Sequence, residues 1–308
     1  MVAMARIAVI GAGFIGRSWA TLFAQHGHSV VLCDPDAKAL GDIHTSILAA
    51  LHELANAGLL AEAPEAMIDR IATTSDLGTA LAEADYVQEN APECAETKRA
   101  LFAQMDRMAP ASTILASSSS SITCSQVCAG LPGRARCLVA HPANPPHLLR
   151  AVEVVPADFT DPGVTERVVS ILRAAGQVPV VVGEIDGFVM NRLQAVLARE
   201  ALSLVAAGIA DARAIDNVVK HSLGVRWAFM GPFETMDLNA PGGFQDYAQR
   251  YGIPFARMFG EDAWPIDAVA AVDASRRADC PAEGLDERRM WRDSRLTALV
   301  AHLRQQQD

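Results

Sequence analysis

The chain has 308 residues, 51% of them hydrophobic and 20% charged, which is enough apolar material for one large or two ordinary domains with a sizeable core. Its formal net charge of −10 opposes a phosphate backbone, so nucleic acid is not an expected partner. No stretch approaches the roughly 20 apolar residues of a membrane span, and residues 1–6 run straight into a strand without room for a signal peptide, so no membrane partner and a cytoplasmic location are expected.

Arg6–Ile10 is a short apolar run that reads as a buried strand. Gly11-Ala12-Gly13-Phe14-Ile15-Gly16 follows, then a helical pattern over 18–25 closed by Gly27, then a second strand, Ser29–Cys33, ending at Asp34. In this β-α-β setting Gly11 permits the tight turn, Gly13 lets the backbone approach a pyrophosphate, and Gly16 lets the helix pack on the strand. The helix N-terminus faces the phosphates, and Phe14 and Ile15 of the turn are further candidates for contact with the cofactor. Asp34 lies 34 − 16 = 18 residues past the last glycine. A carboxylate there accepts both ribose hydroxyls and repels a 2′-phosphate, which favours NAD, while nearby Lys38 keeps NADP open.

From 36 to 69 the pattern turns helical, with Ile43, Ile47, Leu48, Leu51 and Leu54 forming one stripe and Gly58 a break, so a helical hairpin inserted in the sheet domain is expected. Strands then alternate with helices: strands over 85–88, 113–116, 137–140, 151–155 and 178–182, helices over 96–108, 123–129 and 164–175. This argues for a Rossmann-type α/β domain with a doubly wound, mainly parallel sheet. Near Gly187 the character changes. Residues 188–207, 211–222, 243–251, 267–278 and 286–306 read as helices with no strand among them. The expected organisation is therefore a nucleotide-binding domain over 1–187 and an all-α domain over 188–308. The six cysteines contain no C-x-x-C pair, and Cys124 and Cys128 have no His or Cys nearby to complete a metal site, so free thiols and no metal are expected.

His141 falls at the C-terminal end of a predicted strand, where open α/β sheets bind ligands, and prolines 142, 145 and 146 hold the backbone beyond it. Glu153 is twelve residues on, within a run of valines. A strand, turn and returning segment of that length brings the two side chains together. A carboxylate beside imidazole orients the ring and stabilises its protonated form, as a general base for a hydroxyl proton requires. A lone interior histidine and an edge-strand charge are the structural alternatives.

At this point the chain resembles the 3-hydroxyacyl-CoA dehydrogenase superfamily over nearly its whole length. Ser120 precedes His141 by 21 residues, Glu153 follows it by 12 and Asn191 by 50, which are the intervals of that family's Ser, His, Glu and Asn set. The resemblance implies that His141 is the base and Glu153 its orienting partner. It further implies that Ser120 and Asn191 hydrogen-bond the reacting oxygen, that Glu93 and Lys98 contact the cofactor, and that Asn144 supports the site near the nicotinamide. Ser118 departs from the asparagine many members carry. The run Ser117–Ser121 otherwise reads as either a flexible linker or a substrate loop.

Residues 184–194 and 224–240, with the His141-Pro-Ala-Asn-Pro-Pro stretch, resemble the lambda-crystallin branch, whose members act as L-gulonate 3-dehydrogenases. That likeness implies NAD-dependent oxidation of the 3-hydroxyl of a small 3-hydroxy acid. Arg226 is the candidate for holding a free carboxylate bidentately, with a salt bridge to Glu234 or a dimer contact as the alternative. The rivals are a short-chain 3-hydroxyacyl-CoA dehydrogenase, with the 36–69 hairpin clamping CoA, and an NADH-binding crystallin-like protein without turnover. The apolar helices of the second half lead us to expect a homodimer.

Overall fold

The computed structural model describes residues 4–306. Eight strands form one sheet: β1 Arg6–Ile10, β2 Ser29–Cys33, β3 Ile71–Thr74, β4 Tyr86–Glu89, β5 Ile114–Ser117, β6 Cys137–Pro142, β7 Ala151–Pro156 and β8 Val178–Val181. Their spatial order is β3-β2-β1-β4-β5-β6-β7-β8. Every neighbouring pair is parallel except β6 with β7, which is antiparallel. The chain runs outward from β1 to β3 and then returns to place β4 on the other side of β1. That reversal opens a crevice at the carboxyl ends of β1 and β4, where doubly wound sheets bind their ligands.

The central strands are buried on both faces, as parallel strands covered by helices must be. One core cluster joins Ile7, Val9, Val30, Leu32 and Tyr86 to Trp19 and Phe23 of the helix Phe14–Gln25. The other, on the opposite face, joins Ala8, Val87, Leu115 and Val139 to Phe102 and Met105 of the helix Ala95–Met108.

The first helix begins at Phe14, four residues earlier than the 18–25 pattern indicates. Gly16 depresses helix propensity locally, but a Cβ on it would lie 1.8 Å from the carbonyl oxygen of Gly11, so the turn demands glycine there. The expected hairpin over 36–69 is a crossover of three helices, Ala37–Gly41, Ile43–Asn56 and Pro64–Ile68. Its stripe Ile43, Ile47 and Leu51 is buried in the first core cluster. The crossover ends in β3, a strand not anticipated, because Ile-Ala-Thr-Thr has only one buried apolar residue.

The described residues divide into two compact units between Leu197 and Ala198, inside the helix Met190–Ala206. The start of this helix is tied to the sheet unit by its own hydrogen bonds: Glu153 accepts from the N–H groups of Val189 and Met190, and Asn191 donates to the Ser120 carbonyl.

The second unit is wholly helical among the described residues, with principal helices Ala212–Val218, Gly224–Trp227, Pro232–Leu238, Gly243–Met258, Ile266–Asp279 and Leu285–Gln305. A turn of π-helix, Val219–Leu223, joins the first two. Its small core is Met230, Leu238, Cys280 and Leu285, with Phe229 and Trp291 against it. The fully buried Asp237 accepts from the Phe244 N–H at 2.8 Å and pairs with Arg277. Arg289 donates to the carbonyls of Leu238, Ala240 and Pro241 and so closes the C-terminus of the helix Pro232–Leu238. No helix among the described residues is long and apolar enough to cross a membrane.

Candidate active site

The glycine turn leaves β1 at Gly11, whose φ of +98° suits glycine and whose Cα packs against the Asn90 carbonyl, 2.8 Å from where a Cβ would sit. Gly13 is different. A Cβ there would meet nothing within 4 Å, so the space above it is open. It caps the helix Phe14–Gln25, whose first turn carries no acidic residue and no side-chain cap, leaving N–H groups for an anion. Phe14 is exposed and Ile15 half-buried in that first turn.

Asp34, just past β2, accepts from the Ala12 N–H at 2.8 Å with one oxygen and from the Asp36 N–H at 2.9 Å with the other. Each oxygen keeps a second lone pair, so the carboxylate can take two ribose hydroxyls as well. Lys38 is exposed. A groove of about 900 Å³ runs along this edge past Gly11, Gly13, Asp34, Asn90 and Leu101. Its size, open floor and unpaired donors fit a dinucleotide.

His141 and Glu153 are direct cross-strand partners on β6 and β7. His141 Nδ1 lies 2.8 Å from Glu153 Oε2, and both side chains are buried. The other carboxylate oxygen accepts from the N–H groups of Val189 and Met190, at 2.8 and 2.9 Å. These three bonds orient the carboxylate toward the ring. With Nδ1 as donor, Nε2 carries the lone pair. The ring of Phe188 leans on the imidazole at 5.7 Å between centroids.

Asn191 Nδ2 donates to the Ser120 carbonyl at 2.7 Å, so the set of four is linked in two pairs through the start of one helix. The Ser120 hydroxyl has no protein partner among the described residues and is half-buried. Asn144 lies exposed in the loop after β6.

The serine run is not a linker. Glu93 Oε1 accepts from the Ser119 hydroxyl (2.6 Å), the Ser120 N–H (2.9 Å), and the Ser121 N–H and hydroxyl (3.0 and 3.1 Å). Burial by itself pushes the Glu93 carboxyl up. The bonds from Ser119 and Ser121 and the Lys98 charge outweigh it and hold the group below the usual carboxylate range.

Lys98 is buried, and its ammonium is spent on the protein. It donates to both oxygens of Glu89 at 2.9 and 3.1 Å and to the Ala91 carbonyl at 3.1 Å, with Glu93 3.6 Å away. Glu89 in turn accepts from the Ser117 hydroxyl and from the Ala91 N–H at 2.6 Å. Glu89 was not singled out from the sequence. Its signal was a charge ending the strand Tyr86–Glu89, nine residues before a lysine.

Arg226 lies in the helical unit, in Gly224–Trp227, half-buried and without an ion pair among the described residues. The alternative bridge to Glu234 is not formed: Glu234 is held by Arg288 at 2.6 Å and Arg276 at 3.5 Å.

A Rossmann-type sheet with a glycine turn, a carboxylate just past its second strand and a buried His–Glu pair at the strand ends defines a dinucleotide-dependent oxidoreductase. The family model described as the NAD binding domain of 3-hydroxyacyl-CoA dehydrogenase matches residues 6–185, and that of the C-terminal domain matches 187–275. The lambda-crystallin homolog of Bos taurus is 41% identical over 96% of this chain and 94% of its own. The L-carnitine dehydrogenase of Streptomyces griseus is 39% identical over 90% and 86%. Among solved structures, a 3-hydroxyacyl-CoA dehydrogenase from Archaeoglobus fulgidus superposes with a TM-score of 0.75 at 26% identity, covering 97% of this chain and 99% of that one. The chain therefore belongs to the 3-hydroxyacyl-CoA dehydrogenase family and is an NAD-dependent dehydrogenase acting on CH–OH groups.

Proposed function

We propose that this protein oxidises the 3-hydroxyl of a small 3-hydroxy carboxylate, L-gulonate-like, to the 3-keto acid. The reading rests on one observation above others, the His141–Glu153 pair at 2.8 Å with Glu153 pinned by the two N–H groups at the head of the helix Met190–Ala206. When bound along Gly11–Gly16 and Asp34, NAD supplies the acceptor for the carbinol hydride. The protein's own residues do the rest. His141 Nε2 takes the hydroxyl proton as the carbon–hydrogen bond breaks, and Glu153 stabilises the imidazolium that forms. Ser120 and Asn191 hydrogen-bond the reacting oxygen. Glu93 and Lys98 serve this site through the serine loop.

For the substrate's far end we propose Arg226, whose guanidinium has no ion-pair partner among the described residues and matches a carboxylate bidentately. The similarity to L-carnitine dehydrogenase supports a free carboxylate over a thioester. We also propose a homodimer. The helix Met190–Ala206 buries none of its residues within the chain and exposes Leu193 by 62% and Leu202 by 70%, so its apolar side wants a second copy. Light scattering that gives a monomer mass refutes this. The unpaired state of all six cysteines accords with a reducing, cytoplasmic setting.

A substrate panel with NAD tests the function: L-gulonate, L-carnitine and 3-hydroxybutyryl-CoA side by side. Turnover of a free acid is expected, with Arg226→Gln raising KM for that acid at least tenfold and leaving kcat within a few-fold. A strong preference for the thioester sinks the free-acid reading, and tight NADH binding without any turnover favours a non-catalytic role.

A further inference from the structure

Ser118 is buried and its hydroxyl is saturated. It accepts from Trp19 Nε1 at 3.0 Å and Gln88 Nε2 at 2.7 Å, and it donates to Asn90 Oδ1 at 2.7 Å. A hydroxyl has one proton and two lone pairs, so these three bonds are all it can make. It has none left for a cofactor or a substrate.

The three partners lead to different parts of the site. Trp19 belongs to the helix that starts at the glycine turn, and it stacks on Phe23 at 5.2 Å. Asn90 holds the end of β1: its backbone N–H and its side chain both donate to the Ile10 carbonyl, and its own carbonyl packs on Gly11. Gln88 donates a second bond to the Ala140 carbonyl at 3.1 Å, immediately before His141. Ser118 itself lies two residues before Ser120. One hydroxyl thus joins the turn that anchors the pyrophosphate to the two strand ends that carry Ser120 and His141.

We propose that Ser118 is a positioning residue that sets the distance and angle between the glycine turn and the proton-transfer groups, and hence the placement of the nicotinamide for hydride transfer. The inference rests on the assignment of Gly11–Gly16 to the cofactor and of Ser120 and His141 to the reacting hydroxyl. Hydride transfer tolerates little misplacement, whereas the phosphate contacts of the turn are local to it. Loosening the joint therefore separates binding from turnover. A purely structural buried hydroxyl has no reason to do so.

The test compares the parent with Ser118→Ala and Trp19→Phe. The second removes a single donor, keeps an aromatic ring in place, and is read in the same way if Ser118→Ala does not fold. For each, NADH is titrated by its fluorescence, the emission of the bound nicotinamide is recorded, and kcat is measured with protiated and deuterated NADH on the product of whichever panel substrate turns over. The expected result is an NADH Kd within about threefold of the parent, a fall of bound-nicotinamide emission toward that of free NADH, and a kcat lower by tenfold or more with a larger isotope effect. A folded variant whose bound-NADH emission, kcat and isotope effect all stay within twofold overturns the proposal, as does a variant that loses only thermal stability. The emission measurement needs no turnover, so a protein inactive on the whole panel refutes the proposed reaction while this inference is still decided.

Discussion

Replacing Glu153 with Gln changes one oxygen to an NH₂ group and little else in shape. The oxygen that remains has two places to go. Facing Val189 and Met190 it keeps both of their N–H bonds, at 2.8 and 2.9 Å, and turns the NH₂ toward His141. The flipped amide sets two donors against its own NH₂, so the first orientation wins. His141 Nδ1 must then accept, which moves the ring proton to Nε2 and removes the lone pair proposed to take the substrate proton. Recovering the active tautomer sacrifices a hydrogen bond, and the imidazolium formed in the reaction no longer faces an anion. A charge-assisted hydrogen bond contributes about 1.5–3 kcal/mol. The Coulomb attraction over about 4 Å at an effective dielectric of about 20 is about 4 kcal/mol. At about 1.4 kcal/mol per decade these bracket a kcat loss of roughly 10–10³-fold. The assay is steady-state turnover together with NADH fluorescence titration, and NADH affinity is expected to hold within a few-fold. If Glu153→Gln keeps kcat within about fivefold of the parent, the carboxylate does not orient the base and the assignment of His141 falls with it.

Gly13→Ala should fold with the thermal midpoint of the parent in the absence of nucleotide, because an added Cβ meets nothing within 4 Å, yet weaken NADH binding by tenfold or more. Unchanged affinity in a fluorescence titration would show that the pyrophosphate does not sit there. Lys98→Met strips Glu89 of its buried counter-ion. Removing one partner of such a pair costs about 3–5 kcal/mol, or about 6–20 °C in Tm at roughly 2–4 °C per kcal/mol, and circular dichroism showing less than about 1 kcal/mol would contradict that account. Burial lowers the pKa of His28 and of His147 below the ordinary 6.5. Below that pH the unfolded chain takes up protons that the folded form resists, so this stability is complete above about 6.5 and declines as the pH falls, by up to about 1.4 kcal/mol per pH unit for each group. The lowered carboxyls of Glu93 and Asp246 lose theirs only below their ordinary values of 4.5 and 3.8. A thermal midpoint flat from pH 7.5 to 5.5 would count against the histidines.

Much of the architecture was legible because it is written in local patterns. Runs such as Ile7–Ile10 and Val30–Cys33, the glycine spacing between them and Asp34 at the second strand's end define the β-α-β unit with no help from distant residues. β3 was not legible, since Ile-Ala-Thr-Thr becomes a strand only because β2 offers it a parallel edge. Nor were the bonds that tie the head of the helix Met190–Ala206 to the sheet unit, from the Val189 and Met190 N–H groups to Glu153 and from Asn191 to the Ser120 carbonyl, because they join residues far apart in the chain.

The sequence by itself determined the fold class, the cofactor and the set of groups available for chemistry, because periodicity, turn geometry and residue type are properties of short segments. Only the tertiary structure decided what those groups do to one another. The reversal of β7 puts Glu153 directly across from His141. The closing of β4 against β5 turns five serines into keyed partners of Glu89, Asn90 and Glu93, and leaves Lys98 without a donor to spare. Hydrogen bonds saturate and buried charges must pair, so the duty of each polar residue depends on which neighbours the fold brings within reach.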